Sequence, residues 1–202
     1  SGCIKECNYK SVEIAKEAAK DKGVSVAGSV STYGYFYKDG TEKMKPYFNE
    51  HLKILSDAGV DLIILEAMSS QADIVETLIE CSSKIKLPIW LSISCVFNED
   101  KEINLGYDDD VSKSKPQIYE NLKDSLKRFK KLHSGPMLVA HSNMSVTEDA
   151  VKIFKNNLDN TIGAYPNRGY FVKPEWKFTD KIKPEDYLKS AKSWINSGAQ
   201  II

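Results

Sequence analysis

The stretch Ala58-Gly59-Val60-Asp61-Leu62-Ile63-Ile64-Leu65-Glu66 joins two different periodicities. Before it, Phe48, His51, Leu52 and Leu55 recur at i, i+3, i+4 and i+7, the stripe of an amphipathic helix. Gly59 stands where such a helix takes its C-cap. After it, Val60 to Leu65 is apolar apart from Asp61, without the polar alternation of a half-solvated strand. A run of that kind predicts a strand covered on both faces, as in a parallel sheet. It ends on a carboxylate, Glu66.

The same alternation extends in both directions. Apolar runs at Val24 to Val30, Pro88 to Cys95, Met137 to Ala140, Thr161 to Tyr165 and Ala199 to Ile202 predict five further strands. Helical spacing falls between them. It marks Tyr9 to Lys22, Ala72 to Lys84 and the stripe Ile118, Leu122, Leu126, Phe129. It recurs in Val146, Asp149, Ala150, Ile153 and in Tyr187, Leu188, Ala191, Trp194, Ile195. Gly23 and Gly198 stand at helix ends, as Gly59 does, and Pro88, Pro116, Pro136 and Pro184 at element starts, where proline does least harm. The order is helix then strand, six times over, an α/β architecture with right-handed crossovers. Asn98 to Ser114, with Asp108-Asp109-Asp110, reads as a long exposed loop whose acidic triplet is either solvated or a cation site. Six strands are too few for a (β/α)8 TIM barrel, which needs eight. The pattern therefore leaves two solutions: an open doubly wound sheet, or a barrel without its first strands and its end.

Composition narrows the function classes. The 202 residues fit one domain, and 28 cations balance 28 anions. Nucleic-acid and membrane-surface proteins usually carry a basic excess, so neither is expected. Only Arg128 and Arg168 offer the guanidinium suited to bidentate phosphate binding. No apolar run approaches the ~20 residues of a membrane-spanning helix, and Ser1-Gly2-Cys3-Ile4-Lys5 does not open a signal peptide. Cys3, Cys7, Cys81 and Cys95 are irregularly spaced and suggest no disulfide framework. A reduced, cytoplasmic protein is the expectation.

Parallel α/β folds gather ligands at the C-terminal ends of their strands. Here those ends carry Gly28-Ser29 and Tyr33-Gly34, then Glu66-Ala67-Met68-Ser69-Ser70, then Ser92, Ser94 and Cys95. His141-Ser142-Asn143 and Tyr165-Pro166-Asn167-Arg168-Gly169 complete the set. A carboxylate after an apolar run is partly desolvated and needs a partner. Glu66 thus either binds a substrate ammonium or serves as a base, or it pairs with a lysine or caps a helix. His141 is either a metal ligand or general base, or a hydrogen-bonded core residue. His51 and His133 read as structural, and Cys81 and Cys95 as buried thiols. Cys3 and Cys7 have a helical metal-binding spacing but no further ligands nearby. Phosphate-loop, dinucleotide, serine-hydrolase and HExxH patterns are absent.

These segments together resemble the homocysteine S-methyltransferase family. The resemblance is carried by Val26-Ala27-Gly28-Ser29-Val30 with Tyr33-Gly34, by Ala58 to Glu66, and by Pro88-Ile89-Trp90-Leu91-Ser92-Ile93-Ser94-Cys95. It continues through Ala164-Tyr165-Pro166-Asn167-Arg168-Gly169 with Trp176, and through Trp194 with Gly198-Ala199-Gln200-Ile201-Ile202. It implies a zinc-dependent (β/α)8 barrel of which Ser1 to Ile202 forms a single domain, about six βα units, incomplete at both ends. It also implies zinc as cofactor, with two ligands from a Cys-Cys pair that would follow Ile202. Where most members carry Asn-Cys on the sixth strand, this chain has His141-Ser142, and His141 is the residue available to replace the missing thiolate as a metal ligand.

The implied reaction is methyl transfer from a small sulfonium or ammonium donor to the thiol of homocysteine or a similar acceptor, forming methionine. Zinc would convert the thiol to the nucleophilic thiolate. Glu66 would bind the substrate's amino group, and the segments at Gly28, Ser29, Tyr165 and Asn167 would hold the rest of the amino acid. The expected partners are therefore a thiol amino acid and a methyl donor, with a homo-oligomer open. Two other readings stay in view: a silent binding barrel without a complete metal site, and an enzyme using Glu66 and His141 as an acid/base pair.

Overall fold

The computed structural model describes residues 2–32, 40–69, 71–106, 120–167, 170–172, 175–177 and 182–202. Along the chain run α1 (Gly2–Ala19), β1 (Ala27–Ser31), α2 (Thr41–Ala58), β2 (Leu62–Met68), α3 (Ala72–Ser82), β3 (Ile89–Ile93), β4 (Cys95–Phe97) and β5 (Ile103–Leu105). They are followed by α4 (Leu122–Phe129), β6 (Met137–Asn143), α5 (Met144–Asn157), β7 (Ile162–Asn167), β8 (Tyr170–Val172), β9 (Glu175–Lys177) and α6 (Pro184–Asn196).

Five strands form one parallel sheet in the order β1-β2-β3-β6-β7. Spatial order follows chain order without a reversal. With right-handed crossovers, that places every connecting helix on the same side of the sheet. A doubly wound sheet would reverse its strand order at a switch point, so the first of the two solutions is set aside. The sheet does not close into a barrel among the described residues. The sixth predicted strand appears only as a parallel bridge, Gly163 to Ile201.

Register sorts the strand residues into two faces. Gly28, Val30, Ile63, Leu65, Leu91, Ile93, Met137, Val139, Ile162 and Ala164 face the helices and are buried. Leu52, Leu55, Val75, Leu78, Phe129, Val146 and Phe154 pack into the same core. Full burial of each such side chain contributes roughly 1.5–3 kcal/mol. The opposite face carries Ser29 and Ser31, Ile64 and Glu66, Trp90 and Ser92, Leu138 and Ala140, and Tyr165. Polar side chains on this face concentrate at the C-terminal ends of the strands.

Gly59 caps α2 at φ 86°, in the left-handed region, as its position predicts. Other expectations need correction. The run Pro88 to Cys95 is two strands, not one, because the chain leaves the main sheet at Ser94. The segment from Asn98 is not simply an exposed loop. β4 and β5 pair antiparallel through a tight turn in which Asn98 Oδ1 accepts the Glu102 N–H at 2.8 Å, and Ile103, Asn104 and Leu105 are buried. Asp108 to Asp110, Ile118 and Pro116 lie outside the described residues, as do Tyr33, Gly34, Ser70, Arg168 and Gly169. In α6 the stripe is narrower than predicted. Ala191 and Trp194 are buried, whereas Leu188 and Ile195 point outward, about half exposed. No helix among the described residues is long and apolar enough to cross a membrane.

Candidate active site

Two strand ends carry the same irregularity. In β2 the register shifts between Leu65 and Met68, and Ala67 adopts φ 57°. In β6 it shifts between Ala140 and Asn143, and His141 adopts φ 49°. Both residues occupy the left-handed region, which costs a non-glycine residue about 1–2 kcal/mol. A bulge of this kind re-aims the neighbouring side chain. Here the two bulges bring Glu66 and His141 into contact although 75 positions separate them in sequence.

Glu66 Oε1 is the centre of a small polar network. It accepts from His141 Nε2 at 2.6 Å and from the Tyr165 hydroxyl at 2.7 Å, with Ser92 Oγ at 3.5 Å. Tyr165 and Ser92 also touch each other at 2.5 Å, and the Tyr165 ring meets the His141 ring edge to face at 5.7 Å. All described contacts of the carboxylate fall on Oε1, leaving Oε2 unbonded among the described residues. Burial raises the Glu66 carboxyl and is its largest single influence. The bonds from His141 and Tyr165, the charge interaction with His141 and the Ser92 contact together outweigh it and hold the group below its ordinary range. The site therefore presents a fixed anion, and the side chains of Glu66 and His141 keep 22% and 31% of their surface exposed.

The other predicted site residues are placed as follows. Ser29 is exposed on the same sheet face, two residues before Ser31, which pairs with Glu66. Asn167 follows Tyr165 by two residues and stands opposite Asn143 in register. Gly28 lies on the helix side, where an added Cβ would come within 3.1 Å of Leu55. Its side-chain direction belongs to core packing, and only its backbone is left for the polar face. Asn143 caps α5 by accepting the Ser145 N–H at 3.0 Å. The Trp194 ring is core, edge to face with Tyr187. His51 bonds Asn8, His133 bonds the Pro136 carbonyl, and both are pushed down by burial, as structural histidines. Arg128 is held by Glu76, Asp73 and Glu120 and is not presented to a phosphate.

The donor set can be tested against zinc. Ser142, which stands where the resembling family carries a thiolate, is 1% exposed. Its Oγ accepts the Cys95 N–H at 2.8 Å and donates to the Ala140 carbonyl at 2.9 Å. A neutral hydroxyl so committed ties β6 to the start of β4 and is not a metal ligand. Cys95 is buried, and burial pushes its thiol up to about 12. His141 Nε2 is engaged by Glu66. No group of three or more His, Cys, Asp or Glu is placed to hold a metal among the described residues. These residues by themselves do not fit a zinc site.

Sequence reasoning identified Glu66 and His141 as polar interruptions of apolar runs, and the structure brings them together. It placed Ser92 and Tyr165 at strand ends, Ser92 without a role and Tyr165 with a substrate-binding role given only by the family resemblance. Their place at the C-terminal ends of apolar runs was the signal available.

Comparison with known proteins bears on the whole chain. A sequence model described as homocysteine S-methyltransferase matches residues 2–202. The chain is 24% identical over 200 residues to a selenocysteine methyltransferase of Astragalus bisulcatus, covering 91% of this chain and 55% of that protein. It is 25% identical over 228 residues to homocysteine S-methyltransferase 2 of Arabidopsis thaliana, covering 96% and 64%. Its fold is similar to the apo crystal structure of the homocysteine methyltransferase MmuM from Escherichia coli. That match has a TM-score of 0.70 and 22% identity and covers 100% of this chain and 68% of that one. The chain thus spans between half and two thirds of the length of these curated relatives.

Proposed function

Because the chain belongs to the homocysteine S-methyltransferase family, we propose that its polar strand-end face binds a thiol amino acid of the homocysteine type and supports transfer of a methyl group to its sulfur. The observation that carries this reading is the Glu66 carboxylate, kept ionised by His141, Tyr165 and Ser92 on one oxygen while the other takes no bond among the described residues. A fixed anion with a free oxygen at a strand end suits a substrate ammonium. Ser29, Asn167 and the Gly28 backbone, on other strands of the same sheet, would bind the remaining polar atoms of the amino acid. The relatives' names, which couple methyl transfer to homocysteine or selenocysteine, support the same class of acceptor.

The chemical requirement is a thiolate. A thiol of ordinary pKa, ~8.5, is mostly protonated at neutral pH and is a poor nucleophile in that form. Zinc bound to the thiol would supply this ionisation, but the donors among the described residues do not by themselves fit it. The methyl donor is read as a small sulfonium or quaternary ammonium compound, whose positive charge disappears as the methyl leaves.

The test is a transfer assay on the chain with homocysteine and a panel of sulfonium and ammonium donors, methionine being followed by mass spectrometry. Methionine formed with one donor supports the reading; none with any donor contradicts the catalytic part. The buried, committed Ser142 favours a second reading, a silent domain that binds the amino acid without transfer. Homocysteine binding without turnover would point to that alternative.

A further inference from the structure

We propose that His141 is the general base that removes the acceptor's thiol proton, with Glu66 as the residue that positions it. The inference rests on the reading of the face as a thiol amino acid site and assigns the ionisation step to this chain's own residues.

Geometry carries the assignment. An imidazole whose Nε2 is 2.6 Å from a carboxylate donates its hydrogen there, and in the neutral ring this contact fixes the tautomer with the lone pair on Nδ1. His141 makes no other hydrogen bond among the described residues, and about a third of its side chain is open. The ring is further held by the Tyr165 edge contact. A carboxylate, an oriented imidazole and an uncommitted ring nitrogen form the arrangement that activates a nucleophile by proton abstraction. The backbone supports it: His141 is held at φ 49° by the bulge in β6, a strained conformation of the kind that persists where the surroundings over-determine it. The Glu66 oxygen free for an ammonium lies on the carboxylate that orients the base. One short amino thiol can therefore address both groups.

The step balances without further reagents. The S–H bond breaks, its proton passes to Nδ1 of His141, and its electron pair stays on sulfur. That pair forms the new S–C bond while the donor's bond to the methyl breaks, its pair leaving with the neutral donor product. The imidazolium that results is paired with Glu66.

The test uses homocysteine as probe on protein dialysed against a chelator, recording binding by calorimetry and thiolate by its ultraviolet band. Two variants keep the backbone: His141→Asn, because Asn tolerates the left-handed region, and His141→Gly, because glycine occupies it freely. The wild type is expected to show the band on binding. His141→Asn removes one of the bonds that hold Glu66 ionised, so binding is expected to weaken by up to about tenfold and the band is compared at saturating homocysteine. Its thiolate band should fall by about tenfold or more, as removal of a positioned base predicts. Added imidazole should restore the band in His141→Gly. A band undiminished in His141→Asn, or one that appears only when zinc is added, would overturn the proposal while leaving the substrate reading intact. Binding to the wild type with no band would do the same. If homocysteine does not bind at all, the substrate reading falls and this inference with it.

Discussion

His141 and Glu66 meet at 2.6 Å, Nε2 to Oε1, across two strand ends that are both bulged. Between their strands lies β3, which contributes Ser92, and Tyr165 closes the network from β7. Four strands of one sheet thus converge on a single carboxylate oxygen. A rigid parallel sheet is the support such a constellation needs, since its strand ends are fixed by a core on the helix side.

Tyr165→Phe removes the hydroxyl that donates to Glu66 and touches Ser92. A hydrogen bond to a charged group is worth about 1.5–3 kcal/mol, of which nearby water recovers part. Homocysteine affinity is expected to fall by roughly tenfold, read by calorimetry. An unchanged affinity would remove Tyr165 from the site.

Ala67→Gly relieves a left-handed conformation at the end of β2. Relief of 1–2 kcal/mol is offset by the extra entropy of an unfolded glycine, about 0.5–1 kcal/mol. Stability to urea should rise by up to about 1.5 kcal/mol. Destabilisation would show that the Ala67 methyl contributes more than its backbone costs.

His133 is buried against the Pro136 carbonyl, and burial lowers its pKa below the ordinary 6.5. Because the unfolded chain binds this proton more readily, stability is complete above pH 6.5 and declines as pH falls from there toward the folded pKa. His51, also lowered by burial, adds in the same direction. Thermal unfolding between pH 7.5 and 5 should show the decline, and His133→Gln should make it shallower. An equally steep decline in the variant would count against the assignment.

Cys3 and Cys7 are exposed, whereas Cys81 and Cys95 are buried. Native alkylation followed by mass spectrometry should therefore label two thiols, and the remaining two should react only on unfolding. Rapid labelling of Cys95 would contradict its buried place beside Ser142.

Much of the sheet was legible because its strands are unbroken apolar runs, and Gly59 marks the joint between helix and strand. Burial is not uniform along those runs: Met137 to Ala140 of β6 is buried throughout, while β1 alternates between buried and exposed. The lack of alternation in sequence hides which residues face which way. Gly28 and Ser29 are adjacent in sequence, yet one packs on Leu55 and the other lies on the polar face. The β4–β5 hairpin was not legible because its buried residues, Ile103 to Leu105, sit among charged and polar neighbours that read as a loop. Glu66 and His141 stood out as polar ends of apolar runs, but their contact depends on two bulges, and a bulge leaves no periodic trace in sequence. Ser142 could be named as a departure from the family's thiolate. That its hydroxyl is already committed to Cys95 and Ala140 is visible only in the fold.

The most direct test of the account is calorimetric titration of homocysteine into the wild-type chain and into Glu66→Gln. Glutamine keeps the shape and removes the anion. The account predicts saturable binding by the wild type, weakened by about tenfold to a hundredfold in the variant, the range expected for loss of one charge-assisted bond. Equal affinity in the two proteins, or no binding by the wild type, would contradict it.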